Sequence, residues 1–183
     1  MDYKQKHPET CLAKCLIILL EKSKNIIVPK RYELELLVFS LKYARENIAR
    51  GHLEKIVGDF KVKIAWIVDS RIFYRFIRRL HLPKTMQITQ KPITLSLIDS
   101  LLSSPLILYV DRFFLWKKAQ GLYHKYHYPH FIIVKRKVGS QYEIIDPEDG
   151  KAKRVSPTLL HNAIKSLKSR LWISPQVIAL ENG

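Results

Sequence analysis

Apolar residues run along this chain in two rhythms, helical in the first half and mostly strand-like in the second. Residues 11–20, Cys11-Leu12-Ala13-Lys14-Cys15-Leu16-Ile17-Ile18-Leu19-Leu20, are almost continuously apolar, which reads as a buried helix with Thr10 as its N-cap. In residues 32–50, Leu34, Leu37, Val38, Leu41 and Ala44 recur at helical spacing. That pattern predicts one long helix stopped by Gly51, with a second short helix over 52–57. Residues 61–68 read as a buried strand, because Ile64-Ala65-Trp66-Ile67-Val68 is apolar without alternation. Asp69 or Ser70 then caps a helix with Ile72, Phe73, Phe76, Ile77 and Leu80 on one face and Arg71, Arg75, Arg78 and Arg79 on the other.

Residues 93–102 fit a helix capped by Thr94 or Ser96, followed by a strand over 106–110 and an aromatic, basic loop over 113–127. Two β-branched runs come next, His130-Phe131-Ile132-Ile133-Val134 and Tyr142-Glu143-Ile144-Ile145, separated by Val138-Gly139-Ser140. They predict an antiparallel hairpin. Ser156 and Pro157 open a last helix whose apolar face is Leu159, Leu160, Ala163, Ile164 and Leu167, and 171–180 reads as a final strand. The class is therefore α+β, with an antiparallel sheet facing the first helix.

At 183 residues, with 47% hydrophobic and 26% charged residues, the chain suits one globular domain rather than a disordered tail. No segment reaches the roughly 20 apolar residues that span a bilayer. The first eight residues lack the basic, apolar and small pattern of a secretory signal, and two cysteines at i and i+4 in one helix make no disulfide framework. A cytoplasmic location is the expectation.

The hairpin also carries chemistry. If it folds near Val138 or Gly139, Asp146 at the end of one strand comes beside His130, at the start of the other, or its immediate neighbour. A carboxylate that fixes the tautomer of an imidazole, and an imidazole that serves a nucleophile, are two-thirds of a catalytic constellation. Cys11, the first residue of its helix, supplies the third: unpaired backbone N–H groups and the helix dipole favour thiolate there. Cys15, one turn inside, reads as core. Asp146-Pro147-Glu148-Asp149-Gly150 is also a good turn sequence in any protein, and Pro147 restrains Asp146 to extended backbone, so both roles can coexist.

Gln5, Cys11 six residues later at the start of a buried helix, His130 followed by apolar residues, and Asp146-Pro147 sixteen residues after that histidine together resemble the papain-like cysteine peptidases. Within them the chain is most similar to the bacteriocin-processing peptidases that cut after double-glycine leaders. The resemblance covers the first twenty or so residues and roughly 105–156. It implies a papain-like fold, a catalytic Cys11, His130 and Asp146, and a Gln5 side chain that donates to the oxyanion. It also implies a peptide or protein substrate and no cofactor. The family usually has Gly directly after the nucleophile; this chain has Leu12, which bears on the shape of the substrate cleft. The same triad serves acyltransferases and amide hydrolases.

His124, His127 and His130 stand at three-residue intervals, a series that suggests a zinc site, but such spacing in an extended segment sends successive side chains to opposite faces, so no metal is expected. The net charge is +16, and residues 61–137 hold 15 Lys and Arg against 3 acids. A solvated surface accounts for such an excess; so does an acidic substrate or a polyanion bound around Arg71, Arg75 and Arg78. The alternative from a different class is thus a basic binding module on a catalytically weak papain-like fold.

Overall fold

A computed structural model describes residues 4–5, 10–115 and 127–181. Most of the expected loop over 113–127, His124 included, lies outside the described residues, as does most of the N-terminal segment before Thr10. The fold is α+β. Its described helices are α1 (Cys11–Lys24), α2 (Tyr32–Ser40), α3 (Ile48–Phe60), α4 (Arg71–Arg78), α5 (Leu95–Leu101) and α6 (Pro157–Ser169). The strands are β1 (Ile64–Val68), β2 (Met86–Gln90), β3 (Leu106–Asp111), β4 (Pro129–Val138), β5 (Gln141–Ile145), β6 (Ala152–Val155) and β7 (Gln176–Leu180). They form one sheet in the order β2-β1-β7-β3-β4-β5-β6.

The expectation of a purely antiparallel sheet needs correction at one edge. β1 and β2 are parallel, joined by the crossover that contains α4. β2 and β6, absent from the sequence reading, are the two edge strands, and each exposes alternate residues. An edge strand with one neighbour and a wet face needs few apolar residues, so Met86-Gln87-Ile88-Thr89-Gln90 gave little signal.

Alternation along the central strands fills both faces of the sheet. Ile107, Phe131, Ile133 and Ile145 face a core shared with α1, α2 and α3, whereas Leu108, Ile132, Val134 and Ile144 face one shared with α6. α1 is buried at every position from Leu12 to Leu20. It packs on the sheet with one side and on α2 and α3 with the other, which explains why its sequence shows no polar stripe. Leu12 belongs to that core, so the residue that departs from the family pattern points into packing rather than out beside Cys11.

The single long helix expected over 32–50 is instead two. α2 ends at Ser40 in a 3-10 turn over Leu41–Tyr43, and the Asn47 side chain starts α3 by accepting from Arg50 N at 2.9 Å. Gly51 is not a stop. It lies inside α3, where a Cβ would stand 2.7 Å from Ser40 Cα and 2.7 Å from Tyr43 Cδ2. Glycine there lets the two helical segments close on each other. Gly51→Ala should therefore lower stability by about 1–3 kcal/mol, read as a lower urea midpoint at unchanged slope; an unchanged midpoint would show that the contact yields freely.

Candidate active site

The helix start that holds Cys11 is set by Thr10, but not through a side-chain cap. Lys14 N donates to the Thr10 carbonyl at 2.8 Å, and the Thr10 hydroxyl donates instead to Glu33 at 2.5 Å. That buried bond ties the start of α1 to α2 and keeps the hydroxyl off the N–H groups of the first turn. Cys11 is half-buried, whereas Cys15 is fully buried with its thiol 3.5 Å from the Phe131 carbonyl. Burial, then the neighbouring Cys11 and Asp146, push the Cys15 thiol well above its usual pKa. The reading of Cys15 as core agrees with that environment.

The hairpin register differs from the expected one. Gly139 (φ 58°) and Ser140 form a two-residue turn with Val138 opposite Gln141, and glycine at the first turn position suits the II′ geometry. The register shifts between Val134 and Arg136, after which Ile133 faces Ile145. Continued one residue, this puts Ile132 opposite Asp146 and makes His130 its diagonal neighbour on the same side, within reach of long side chains. His130 Nε2 lies 2.9 Å from Asp146 Oδ1. With a carboxylate as partner, Nε2 must donate, which leaves Nδ1 as the ring nitrogen available to Cys11, the neighbour that, after Asp146, raises the His130 pKa. Three residues far apart in sequence thus stand in the order thiol, imidazole, carboxylate.

Asp146 does two jobs with one oxygen. Its Oδ1 also accepts from Glu148 N at 2.8 Å, and its carbonyl accepts from Gly150 N at 2.8 Å, so the turn and the imidazole contact are built together. Gln5 is fastened to the same turn by its backbone, Gln5 N donating to the Pro147 carbonyl at 2.5 Å. The backbone of Gln5 is therefore tied to the turn that follows Asp146. Next to His130 on β4, Phe131 stands opposite Tyr109 of β3 with rings stacked at 4.0 Å.

One contributor was not legible in the sequence. Arg112, just past β3, places Nε 3.6 Å from Asp146 Oδ2 and pairs with Glu148. In a chain with 32 Lys and Arg, one more arginine after a strand carries no signal; Asp111 pairing with Pro129, next to His130, is what aims it.

Burial opposes charge on both partners of the imidazole–carboxylate pair, yet the contacts outweigh it. For His130, burial would lower the pKa, but hydrogen bonds to Asp146 and then Cys11 carry it up to about 9. For Asp146, burial would raise it, but His130, the Glu148 N–H and Arg112 hold it below the usual carboxylate range. A histidine raised in the folded state stabilises fully below its unfolded value of 6.5, and that stability is lost as pH rises through about 9. The depressed Asp146 stabilises above its unfolded value of 3.8 and loses this as pH falls. Unfolding free energy should thus be highest between these two values and drop by on the order of 3 kcal/mol toward pH 10. Urea titrations check it; His130→Ala should flatten the alkaline slope, and a slope retained in that variant would contradict the assignment.

Of the histidine series, the two described members, His127 and His130, do not converge. His127 Nδ1 lies 2.5 Å from Asp111 Oδ2, while His130 goes to Asp146. Ser166 joins this second cluster but donates to the same Asp111 oxygen at 2.6 Å. Asp111 is the hub there, also accepting from Phe113 N and Tyr128 N; the serine's short bond goes to this carboxylate, with His127 Nδ1 farther off at 3.5 Å, which is not how a nucleophile is presented to its base. Among the described residues, His130, Asp146 and Glu148 have ligand atoms within 4.8 Å of one another. Arg112 already bears on both carboxylates, and its charge opposes a dication.

Among the described residues no helix is long and apolar enough to cross a membrane. No family model matches this chain, and no curated protein matches it either.

Proposed function

We propose that this chain is a papain-like cysteine peptidase whose nucleophile is Cys11, most similar to the bacteriocin-processing peptidases. The observation that carries the reading is the linked set Cys11, His130 and Asp146, with the thiol at a helix start and the imidazole held at 2.9 Å by a buried carboxylate. In the neutral state Nε2–H on Asp146 leaves Nδ1 to take the thiol proton. The resulting imidazolium is stabilised by Asp146, and the thiolate attacks a peptide carbonyl. The oxyanion that forms is met by the Cys11 backbone N–H at the positive end of α1 and by the Gln5 side chain, donors that typically contribute about 3 kcal/mol. His130 then protonates the leaving amine. In the second half, His130 draws a proton from water, which attacks the thioester and frees the acid product and the thiol.

A peptide library incubated with the chain and with Cys11→Ala tests this. Thiol-dependent cleavage lost in the variant supports the reading, and cleavage that persists in Cys11→Ala removes it. Addition of an amine acceptor in the same assay separates hydrolysis from acyl transfer by product mass, because an acyl-enzyme passes its acyl group to either nucleophile.

A further inference from the structure

α4 does not sit as its pattern implied. Ile77 is buried, and Phe73, Tyr74 and Leu80 pack against the core, but Ile72 is 81% exposed and Phe76 42%. These two stand one turn apart on the outside of the helix. Arg71, Arg75, Arg78 and Arg79 surround them; all four are exposed, and the segment 71–80 contains no acid. Among the described residues none of the four guanidiniums is in an ion pair.

A third exposed apolar residue stands in the turn that is fastened to the start of α4. Trp172 is 91% exposed and adopts φ 57°. It follows α6, where Ile173 N closes onto the Leu167 carbonyl at 3.0 Å, a helix-ending turn that favours glycine at that position. The chain thus holds an indole in water on backbone that disfavours any side chain. This turn is fastened to the start of α4: Ser70 N donates to Ser174 Oγ at 3.0 Å, and Asp69 N to the Pro175 carbonyl at 3.1 Å.

We propose that α4 and the adjoining Trp172 turn form a docking surface for an anionic lipid bilayer. The three exposed apolar side chains suit insertion among headgroups, where tryptophan is favoured, and the arginines suit the negative surface potential around them. Nucleic acid would satisfy the arginines but leave Ile72, Phe76 and Trp172 in water. α4 packs at the β1–β2 edge, while the triad lies at β4–β5, with β7 and β3 between. Docking there leaves the candidate active site unoccupied.

Co-sedimentation of the full chain with vesicles, at near-physiological salt, tests the proposal. One set is phosphatidylcholine alone and the other contains about one-third phosphatidylglycerol; the anionic set should bind at least about tenfold more tightly, and less so as salt rises. Trp172→Gly suits the backbone and should melt no lower than the parent chain, yet it and Ile72→Ser should each weaken binding about tenfold. Cys11→Ala should bind as the parent does, which keeps this result separate from the catalytic reading. Equal binding to both vesicle sets, no binding to either, or unchanged binding by both surface variants would overturn it. Preferential, salt-sensitive binding of duplex DNA, indifferent to Trp172→Gly and Ile72→Ser, would assign the surface to a polyanion instead.

Discussion

His130→Ala should lower peptide turnover at least about 10,000-fold, because it removes both the acceptor of the Cys11 proton and the donor to the leaving amine. The variant also strands Asp146, which is fully buried and keeps only Arg112 as a charged partner, so a stability loss of about 3–5 kcal/mol accompanies it. Thermal melts at the assay temperature must therefore confirm a folded population. Asp146→Asn is the informative companion. An asparagine oxygen can still accept from His130 Nε2 and Glu148 N, the two bonds made by Oδ1, while the charge that stabilises imidazolium is gone. The rate should fall less than in His130→Ala, by about ten- to a hundredfold. The alkaline limb of kcat/KM should move below its parent position, which lies near the raised His130 value of about 9. Full activity in His130→Ala would end the triad account.

The second large effect separates the two cysteines. In the native chain iodoacetamide should alkylate Cys11 at least about a hundredfold faster than Cys15. Both lie on α1 four residues apart, but Cys11 is half-buried beside His130, and Cys15 is fully buried with burial pushing its thiol up. His130→Ala should slow labelling of Cys11 and leave Cys15 as unreactive as before. Peptide mapping after timed quenching reads both rates in one sample. Comparable labelling of the two residues, appearing only when the chain unfolds, would remove Cys11 as an activated nucleophile.

The site was more legible in the sequence than the fold around it, for reasons that differ by residue. Cys11, His130 and Asp146 could be singled out as candidates because chemistry constrains residue type and spacing at once, and a helix start and a hairpin are local features. The hairpin register was misplaced because the turn centres between Gly139 and Ser140, and the shift after Val134 leaves no mark in an apolar run. The break between α2 and α3 was missed because Leu41 and Ala44 continue the helical spacing through it, while the Asn47 cap and the Gly51 contact depend on packing. Ile72 and Phe76 were assigned inward because periodicity finds an apolar stripe but cannot say how wide a strip the core covers. Arg112 became visible only when β3 and β4 were set side by side.

Mass-spectrometric trapping of the acyl-enzyme tests the central claim most directly. Incubation with a cleavable peptide followed by rapid acid quench should yield one covalent adduct of the acyl fragment's mass, sensitive to hydroxylamine as a thioester is, on the peptide that contains Cys11. It should be absent from Cys11→Ala and unchanged in a variant of the exposed Arg75. An adduct on Cys15 or another residue, or cleavage that continues with no adduct in Cys11→Ala, would contradict the account.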